Sequence, residues 1–230
     1  MMTDPRVVRG MQAQLASWRS RIAGGAARVG WKIGFNSPAA QRQLGLDGTV
    51  VGHLTQATVL APGTSHSLAG SHLVCAEPEV AIHLGRDVPA GADGEAARAA
   101  IAALGAAIEL VDVDRPLDDL EVILAANIFH RAVVLGPPCA ERAGGGPAGV
   151  SARAFRNGDE VAAVDAAAAA GDLAAVVRHV ADWLAAFGER LRAGDRIICG
   201  SLAPPILVKP GDRVRVDLGP LGGVEIALTA

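Results

Sequence analysis

Residues 75–85 form an apolar, strand-like run that two carboxylates, Glu77 and Glu79, interrupt. Because strand side chains repeat every two residues, these two glutamates should project from the same face. Like charges at that spacing repel each other, and on a half-buried face each also loses hydration unless a cation lies between them. The run therefore predicts either half of a divalent-metal site or an exposed edge strand with an acidic face. Pro78 favours the edge strand, because proline donates no hydrogen bond to a neighbouring strand.

A third carboxylate, Glu109, lies inside another apolar, strand-like segment, residues 106–113. Three oxygen ligands, with room left for water and substrate, suit Mg²⁺ or Mn²⁺, which are hard cations that prefer oxygen. An all-carboxylate set is a poor match for zinc or iron. The sequence therefore indicates Glu77, Glu79 and Glu109 as candidate metal ligands.

Three further polar residues have candidate roles. Lys32 lies in the strand-like segment 29–35, where it could bind an anionic substrate or act as an acid or base; the alternative is a surface lysine with its charged end in water. Ser201 lies in a rigid loop, residues 200–205, whose hydroxyl or N–H groups could contact a substrate, although a plain turn needs no function. His130 could act as a general base, but a lone histidine beside an arginine is more often structural.

Strand-like segments outnumber helical ones and regular helices do not separate them, so we expect an α+β protein with mixed or antiparallel sheets. Asn157-Gly158 predicts a hairpin turn between residues 150 and 164. Apolar periodicity and capping residues predict helices over residues 5–22, 38–43, 95–104, 117–126 and 172–191.

Composition excludes several classes of partner. The chain has 230 residues, a formal charge of −3 and a pI near 6.1, so no positive field attracts nucleic acid or an anionic membrane. No segment supplies the roughly 20 apolar residues of a membrane span, and the charged start of the chain predicts no secretory signal. Three cysteines without a CxxC pair indicate buried thiols in a reducing compartment. We expect a cytoplasmic protein.

Several motifs, taken together, resemble the 2-keto-4-pentenoate hydratase and 4-oxalocrotonate decarboxylase branch of the fumarylacetoacetate hydrolase family. The matching segments are Gly30-Trp31-Lys32-Ile33-Gly34-Phe35-Asn36-Ser37, Gln41-Arg42-Gln43-Leu44-Gly45, Glu77-Pro78-Glu79-Val80-Ala81, Ala107-Ile108-Glu109-Leu110-Val111-Asp112 and residues 193–205. The resemblance implies a mixed β-roll or sandwich with flanking helices, formed by residues 28–230 behind an N-terminal helical extension, residues 1–27. It also implies a metal held by Glu77, Glu79 and Glu109.

The same resemblance implies the activity and the residues that perform it. The expected reaction adds water to a 2-hydroxy-2,4-dienoate to give a 4-hydroxy-2-oxoacid in the catabolism of aromatic or related compounds, with Mg²⁺ or Mn²⁺ as cofactor. Lys32 and Glu79 are the expected catalytic residues, and the substrate-binding set is Lys32, Ser201, Asn127 and His130. Where relatives usually carry an Asp-Asn-Ala-Ser-like run, this chain has Ala126-Asn127-Ile128-Phe129-His130, so that side of the pocket is reshaped.

Other functions remain open at this point. The same site would serve decarboxylation of a 2-oxo-3-enedioate or carbon–carbon hydrolysis of an acylpyruvate. A catalytically weak partner subunit is a further alternative, which three clustered carboxylates and Lys32 argue against. The expected partner is a small anionic 2-oxoacid, and we expect a homo-oligomer that could associate with a related pathway enzyme.

Overall fold

The computed structural model describes residues 4–230, which form six α-helices and thirteen β-strands. The helices are α1 (Pro5–Ala23), α2 (Pro38–Leu44), α3 (Gly94–Ala100), α4 (Leu120–Ala125), α5 (Ala166–Ala170) and α6 (Leu173–Ala186). The strands are β1 (Arg28–Gly34), β2 (Val50–Thr55), β3 (Val59–Leu60), β4 (Ser65–Ser67), β5 (Val74–Leu84), β6 (Ile101–Asp112), β7 (His130–Leu135), β8 (Ser151–Arg156), β9 (Asp159–Asp165), β10 (Arg196–Ile198), β11 (Ile206–Leu207), β12 (Arg213–Asp217) and β13 (Gly223–Thr229).

The larger sheet curls into a roll. Its strand order is β2-β1-β10-β5-β6-β7-β3, and β11 also pairs with β5. β2 and β3 are the two ends of this order, yet only a short 3₁₀ turn, Gln56–Thr58, separates them along the chain. The sheet must therefore bend back on itself. Aliphatic side chains form a separate apolar cluster with members from six of its strands: Val29, Leu54, Ala81, Ala107, Val133 and Ile198. This architecture confirms the expected α+β fold with a mixed β-roll.

A second sheet of five strands, ordered β4-β13-β12-β8-β9, packs against β6 and β7 of the roll. Alternate residues of β12 and β13, such as Val214 and Ile226, are buried in the main hydrophobic core. The predicted hairpin joins β8 to β9, and Asn157 (φ 56°) and Gly158 (φ 94°) both adopt the left-handed conformation of a two-residue turn.

α1 joins the same core as the sheets. Asp4 caps the helix by accepting a hydrogen bond from the Arg6 N–H, and Pro5 occupies its first turn. Its apolar face is buried, and Trp18 packs against Trp31 of β1 with ring centroids 5.2 Å apart and the ring planes tilted by 47°. The helix confirms the prediction made from the apolar periodicity of residues 5–22. Residues 1–3 of the predicted 1–27 extension lie outside the described range.

Among residues 4–230, no helix combines the length and apolar character that crossing a membrane requires.

Two predicted helices end earlier than the sequence indicates. α3 stops at Ala100, because Ile101 and Leu104 pair with Leu84 and Ile82 of β5 and thereby extend β6. α6 stops at Ala186 rather than continuing to residue 191, because Gly188 adopts the left-handed conformation (φ 77°) that ends a helix. At residues 101–104, by contrast, pairing with a distant strand overrides a local preference for helix.

Candidate metal and substrate site

β5 and β6 bring the three glutamates together. In this long antiparallel pair Glu77 lies opposite Glu109, and Glu79 lies opposite Ala107. Side chains of directly opposed residues share a face, as do residues two apart on one strand. One carboxylate oxygen from each of Glu77, Glu79 and Glu109 lies within 4.8 Å of the others. The grouping that the sequence predicts is therefore present as a compact triad.

Pro78 does not mark an edge of the sheet, so that prediction is wrong: β5 lies inside the roll. Toward β6, Pro78 pairs with Ile108. On the other side it faces the gap between β10 and β11, where its carbonyl accepts a hydrogen bond from the Leu202 N–H at 2.8 Å. Because N–H and C=O of a strand residue point the same way in an antiparallel ladder, the missing N–H also faces this gap. Proline is tolerated here without an edge.

Glu79 is fully buried with half of its hydrogen-bonding capacity unused. Its Oε2 accepts the Gly200 N–H at 2.7 Å, whereas Oε1 has no protein partner among the described residues. Burial, reinforced by repulsion from Glu109 and Glu77, raises the pKa of Glu79 well above its ordinary value. Burial and the charge of Glu109 likewise raise the pKa of Glu77 to about 7. In the described part of the chain, neither Glu77 nor Glu79 forms an ion pair with a cationic side chain, whereas Glu109 does.

Glu109 has the opposite environment, because two nitrogen-bearing side chains meet its Oε1. The Lys32 Nζ donates to that oxygen at 2.5 Å, and the His130 Nδ1 lies 2.6 Å from it. Burial would raise the pKa of Glu109, but Lys32 and His130 outweigh burial and hold this pKa below its ordinary value. Glu109 is thus the carboxylate that stays ionised without help from an added ion.

The donor set fits a hard divalent cation. Three carboxylates face a single lysine, so negative charge is in excess, and within residues 4–230 the buried Oε1 of Glu79 has no protein partner. A buried acceptor without a partner is costly, and two adjacent carboxylates with raised pKa values gain most from a neighbouring positive charge. All three ligand atoms are oxygens, which matches the preference of Mg²⁺ and Mn²⁺.

Lys32 is buried rather than at the surface, with 2% of its area exposed. It extends from β1 opposite Gly52 of β2, where an added Cβ would come within 2.9 Å of the Lys32 Cγ. Its Nζ also donates to the Ile128 carbonyl at 3.1 Å. The alternative of a lysine that extends its charge into water is therefore wrong. Two of the three ammonium hydrogens have protein acceptors among the described residues, and Lys32 also lines the cavity described below.

The segment before β7 forms a left-handed turn. Asn127, Ile128 and Phe129 have φ values of 62°, 55° and 61°, a conformation that costs about 1–2 kcal/mol for an ordinary L-residue. The Asn127 side chain offsets part of this cost, because its Oδ1 accepts the His53 N–H at 2.8 Å and its Nδ2 donates to the His53 carbonyl at 2.9 Å. The turn thereby directs the Ile128 carbonyl at Lys32. Both polar atoms of Asn127 are engaged with β2, and Asn127 does not line the cavity beside the carboxylates.

A cavity of about 650 Å³ opens beside Lys32 and Glu77. These two are the only charged residues among those that line it. Its walls are mainly apolar side chains from several elements: Ile33, Phe35, Val111, Val113, Leu117, Ile128, Phe129, Leu202, Pro204 and Pro205. Ser201 also lines it, but its hydroxyl donates to the Ala203 carbonyl at 2.7 Å, so the loop is braced internally.

His130 lies behind Glu109, away from this cavity. Its Nδ1 faces Glu109 and its Nε2 lies 3.0 Å from the Thr58 Oγ1, so both ring nitrogens are engaged by protein. Together with Asn127, His130 lines a separate, polar cavity of about 380 Å³, whose other lining residues include His53 and Thr55 of β2. The structure therefore brings Lys32, Glu77, Glu79, Glu109 and Ser201 to one site and leaves Asn127 and His130 outside its ligand cavity.

Two supporting contacts leave no signature in the sequence. The Gly200 N–H binds Glu79, whereas sequence reasoning assigns the N–H groups of the 200–205 loop to a substrate. The Ile128 carbonyl that accepts from Lys32 is a backbone group, so side-chain type says nothing about it. The departure at residues 128–130 from the pattern of relatives is the one signal that points to this region.

The fold and the site together define a β-roll protein with a three-carboxylate centre and a buried lysine at the end of an apolar cavity. Residues 34–228 match the family described as "Fumarylacetoacetate (FAA) hydrolase C-terminal". Because the match spans most of the chain, the protein belongs to the fumarylacetoacetate hydrolase family, which confirms the resemblance seen in the sequence motifs.

Named relatives of two activities are similar to the chain. It is 31% identical to 2-keto-4-pentenoate hydratase 1 of Dechloromonas aromatica (strain RCB), over 90% of this chain and 80% of that protein. It is 29% identical to a 4-oxalocrotonate decarboxylase of Pseudomonas sp, over 91% of this chain and 82% of that protein. The solved 4-oxalocrotonate decarboxylase from Pseudomonas putida G7, complexed with magnesium and adipate, superposes with a TM-score of 0.85 at 24% identity, covering 94% of this chain and 83% of that one. The last comparison supports the fold.

Proposed function

We propose that this protein is a divalent-metal-dependent hydro-lyase that adds water to a 2-hydroxy-2,4-dienoate of the 2-oxo-4-pentenoate type. The product is a 4-hydroxy-2-oxoacid, and the setting is the catabolism of aromatic or related compounds. The observation that carries this proposal is the combination of three convergent carboxylates and Lys32 at the charged end of a cavity with apolar walls. Relatives named as hydratases, including the one from Dechloromonas aromatica, support the same reaction.

Glu77, Glu79 and Glu109 are the proposed ligands of Mg²⁺ or Mn²⁺. When bound, such an ion acts as a Lewis acid that stabilises negative charge developing on a substrate oxygen. The structural relative from Pseudomonas putida G7 contains magnesium, which supports this choice of ion. The cation also supplies the positive partner that Glu77 and Glu79 lack in the protein alone.

Residues of the chain bind the substrate, exclude bulk water and position the attacking water. Lys32 directs its free N–H at the substrate carboxylate or 2-oxygen, and the apolar walls hold the hydrocarbon chain and exclude bulk water. In the reaction a proton moves from the 2-hydroxyl to C5, which gives a conjugated 2-oxo-3-enoate; water then adds its oxygen to C4 and a proton to C3. Glu79 is the group we assign to positioning the attacking water, because its carboxylate adjoins that of Glu77, which lines the cavity.

The lining of the cavity favours a monocarboxylate over a diacid. A 2-oxo-3-enedioate would carry a second carboxylate into a cavity where Lys32 is the only cationic residue among those that line it. An ionised carboxylate that is buried without a partner costs several kcal/mol. Decarboxylation of such a diacid is the second candidate reaction, because a decarboxylase is among the relatives. Hydrolysis of an acylpyruvate is the third. The intact carboxylates and Lys32 argue against a partner subunit without activity.

The substrate class is tested by assaying purified protein with Mg²⁺ against 2-hydroxypenta-2,4-dienoate, 4-oxalocrotonate and an acylpyruvate. We expect loss of the dienoate's ultraviolet absorbance, with kcat/KM about 100-fold above the value for the diacid, because of the unpaired second carboxylate. Release of CO₂ from 4-oxalocrotonate at a higher kcat/KM would establish decarboxylation instead. Chelation with EDTA serves as the control and should abolish turnover of the dienoate.

The raised pKa values also predict how the ion stabilises the fold. Since the pKa of Glu77 rises from its ordinary 4.5 to about 7 in the folded protein, metal-free protein loses stability as the pH rises through this interval. A cation binds the ionised carboxylates and reverses this loss. The gain in Tm on adding Mg²⁺ should therefore grow between pH 6 and pH 8, and scanning calorimetry measures it. A gain independent of pH would contradict the ligand assignment, and Glu77→Gln should flatten the dependence.

A small-acid substrate agrees with the names of the relatives. The expected homo-oligomer, its association with a related pathway enzyme and the cytoplasmic location stay predictions.

A further inference from the structure

Oε1 of Glu109 is held from two directions inside the protein. Lys32 donates to it from β1, and His130 contacts it from the start of β7. The side chains of His130 and Glu109 are about as inaccessible to solvent as the core, with 2% and 1% of their areas exposed. In the part of the chain that the structure describes, both contacts reach Oε1 and none reaches Oε2.

The orientation of the His130 ring follows from Thr58. The Thr58 Oγ1 lies 3.0 Å from the Nε2 of His130 and 3.0 Å from the Thr55 carbonyl, so it anchors that side of the ring. The ring therefore presents Nδ1 to Glu109. The 2.6 Å separation between Nδ1 and Oε1 is that of a strong hydrogen bond, in which a hydrogen on Nδ1 is donated to the carboxylate oxygen. Thr58, His130 and Glu109 form a continuous chain of contacts.

We propose that His130 is a positioning residue: with Lys32 it fixes Oε1 of Glu109, so that Oε2 is the oxygen that Glu109 presents to a divalent cation. This inference rests on the proposed function, because it needs the three glutamates to be metal ligands. It also corrects the expectation that His130 binds substrate, since both of its ring nitrogens are engaged by protein and its side chain lies outside the substrate cavity.

A carboxylate that can rotate or bind an ion through either oxygen loses part of its preorganisation. Groups that orient metal ligands typically change metal affinity 10–100-fold when removed. His130 should therefore affect ion binding even though it touches neither the ion nor the substrate. Thr58 should have a smaller effect, because it acts only by orienting the ring.

The test compares Mn²⁺ binding by calorimetry in the wild-type protein, His130→Leu and His130→Asn. Leucine removes both ring contacts, and we expect its Kd for Mn²⁺ to rise about 10–100-fold. Asparagine keeps an N–H donor close to the position of Nδ1, so it should recover most of the affinity. His179→Leu is the matched control. It removes a different histidine–threonine contact, between His179 of α6 and Thr49, the residue before β2, and should leave Mn²⁺ affinity unchanged.

Wild-type affinity in His130→Leu, or equal losses in the leucine and asparagine variants, would overturn the positioning role. If His130→Leu does not fold, Thr58→Val replaces it, with an expected loss of a few-fold that Thr58→Ser should restore; no loss in Thr58→Val would also overturn the role. Failure of the wild-type protein itself to bind Mn²⁺ is a separate outcome that rejects the metal site and the proposed function with it.

Discussion

Glu79→Gln is expected to lower kcat/KM by about 10³-fold while making the metal-free protein more resistant to heat at pH 8. The loss of activity follows from removing one of three anionic ligands, because Lewis-acid stabilisation contributes several kcal/mol to such reactions. The gain in stability follows from burial. Glu79 is fully buried, its Oε1 has no described partner, and burial raises the pKa of its carboxyl, so ionising it opposes folding.

The two effects are measured by steady-state kinetics with saturating Mg²⁺ and by scanning calorimetry in EDTA. Glu141→Gln is the control, because that side chain is exposed outside the site and neither quantity should change. A Glu79→Gln protein that keeps full metal-dependent activity would show that the ligand assignment is wrong. A Tm lower than that of the wild type in EDTA would show that Glu79 stabilises the fold through contacts beyond the Gly200 N–H.

The local sequence pattern is enough to predict part of this site. The two-residue repeat of a strand predicts that Glu77 and Glu79 share a face, whatever the strand pairs with. Their meeting with Glu109 depends on the register of β5 and β6, in which Glu77 lies opposite a residue 32 positions further along the chain. A shift of one residue would turn Glu109 to the other face. The family motifs supplied this information, because the periodicity of either strand alone does not contain it.

Predictions from the sequence are wrong at positions where contact with a distant segment of the chain determines the local structure. Pro78 carries the signature of an edge strand, but the gap between β10 and β11 accommodates its missing N–H inside the sheet. Residues 101–104 are compatible with a helix, yet they pair with β5. Asn127 and His130 have the polar atoms of substrate-binding residues, but β2, Glu109 and Thr58 already engage those atoms. Residue type gives hydrogen-bonding capacity, and only the fold shows how that capacity is used.

Lys32→Met should separate catalysis from metal binding. We expect kcat/KM to fall about 10²–10⁴-fold, the range for removing a group that moves or holds a proton in the reaction. Mn²⁺ affinity should be kept or become tighter, because the substitution removes a positive charge from the neighbourhood of three carboxylates. Metal-free protein should lose about 3–5 kcal/mol of stability, since Glu109 would stay buried with one partner of its pair removed.

Kinetics, calorimetric Mn²⁺ titration and denaturant unfolding in EDTA measure these three quantities. Lys209→Met provides a matched control at the second lysine of the chain, which is exposed, and it should change none of them. Parallel losses of activity and Mn²⁺ affinity in Lys32→Met would mean that Lys32 only supports the metal ligands. Lost activity with intact Mn²⁺ binding would instead assign Lys32 to the substrate, because its third N–H is the one without a protein acceptor and it lines the cavity beside Glu77.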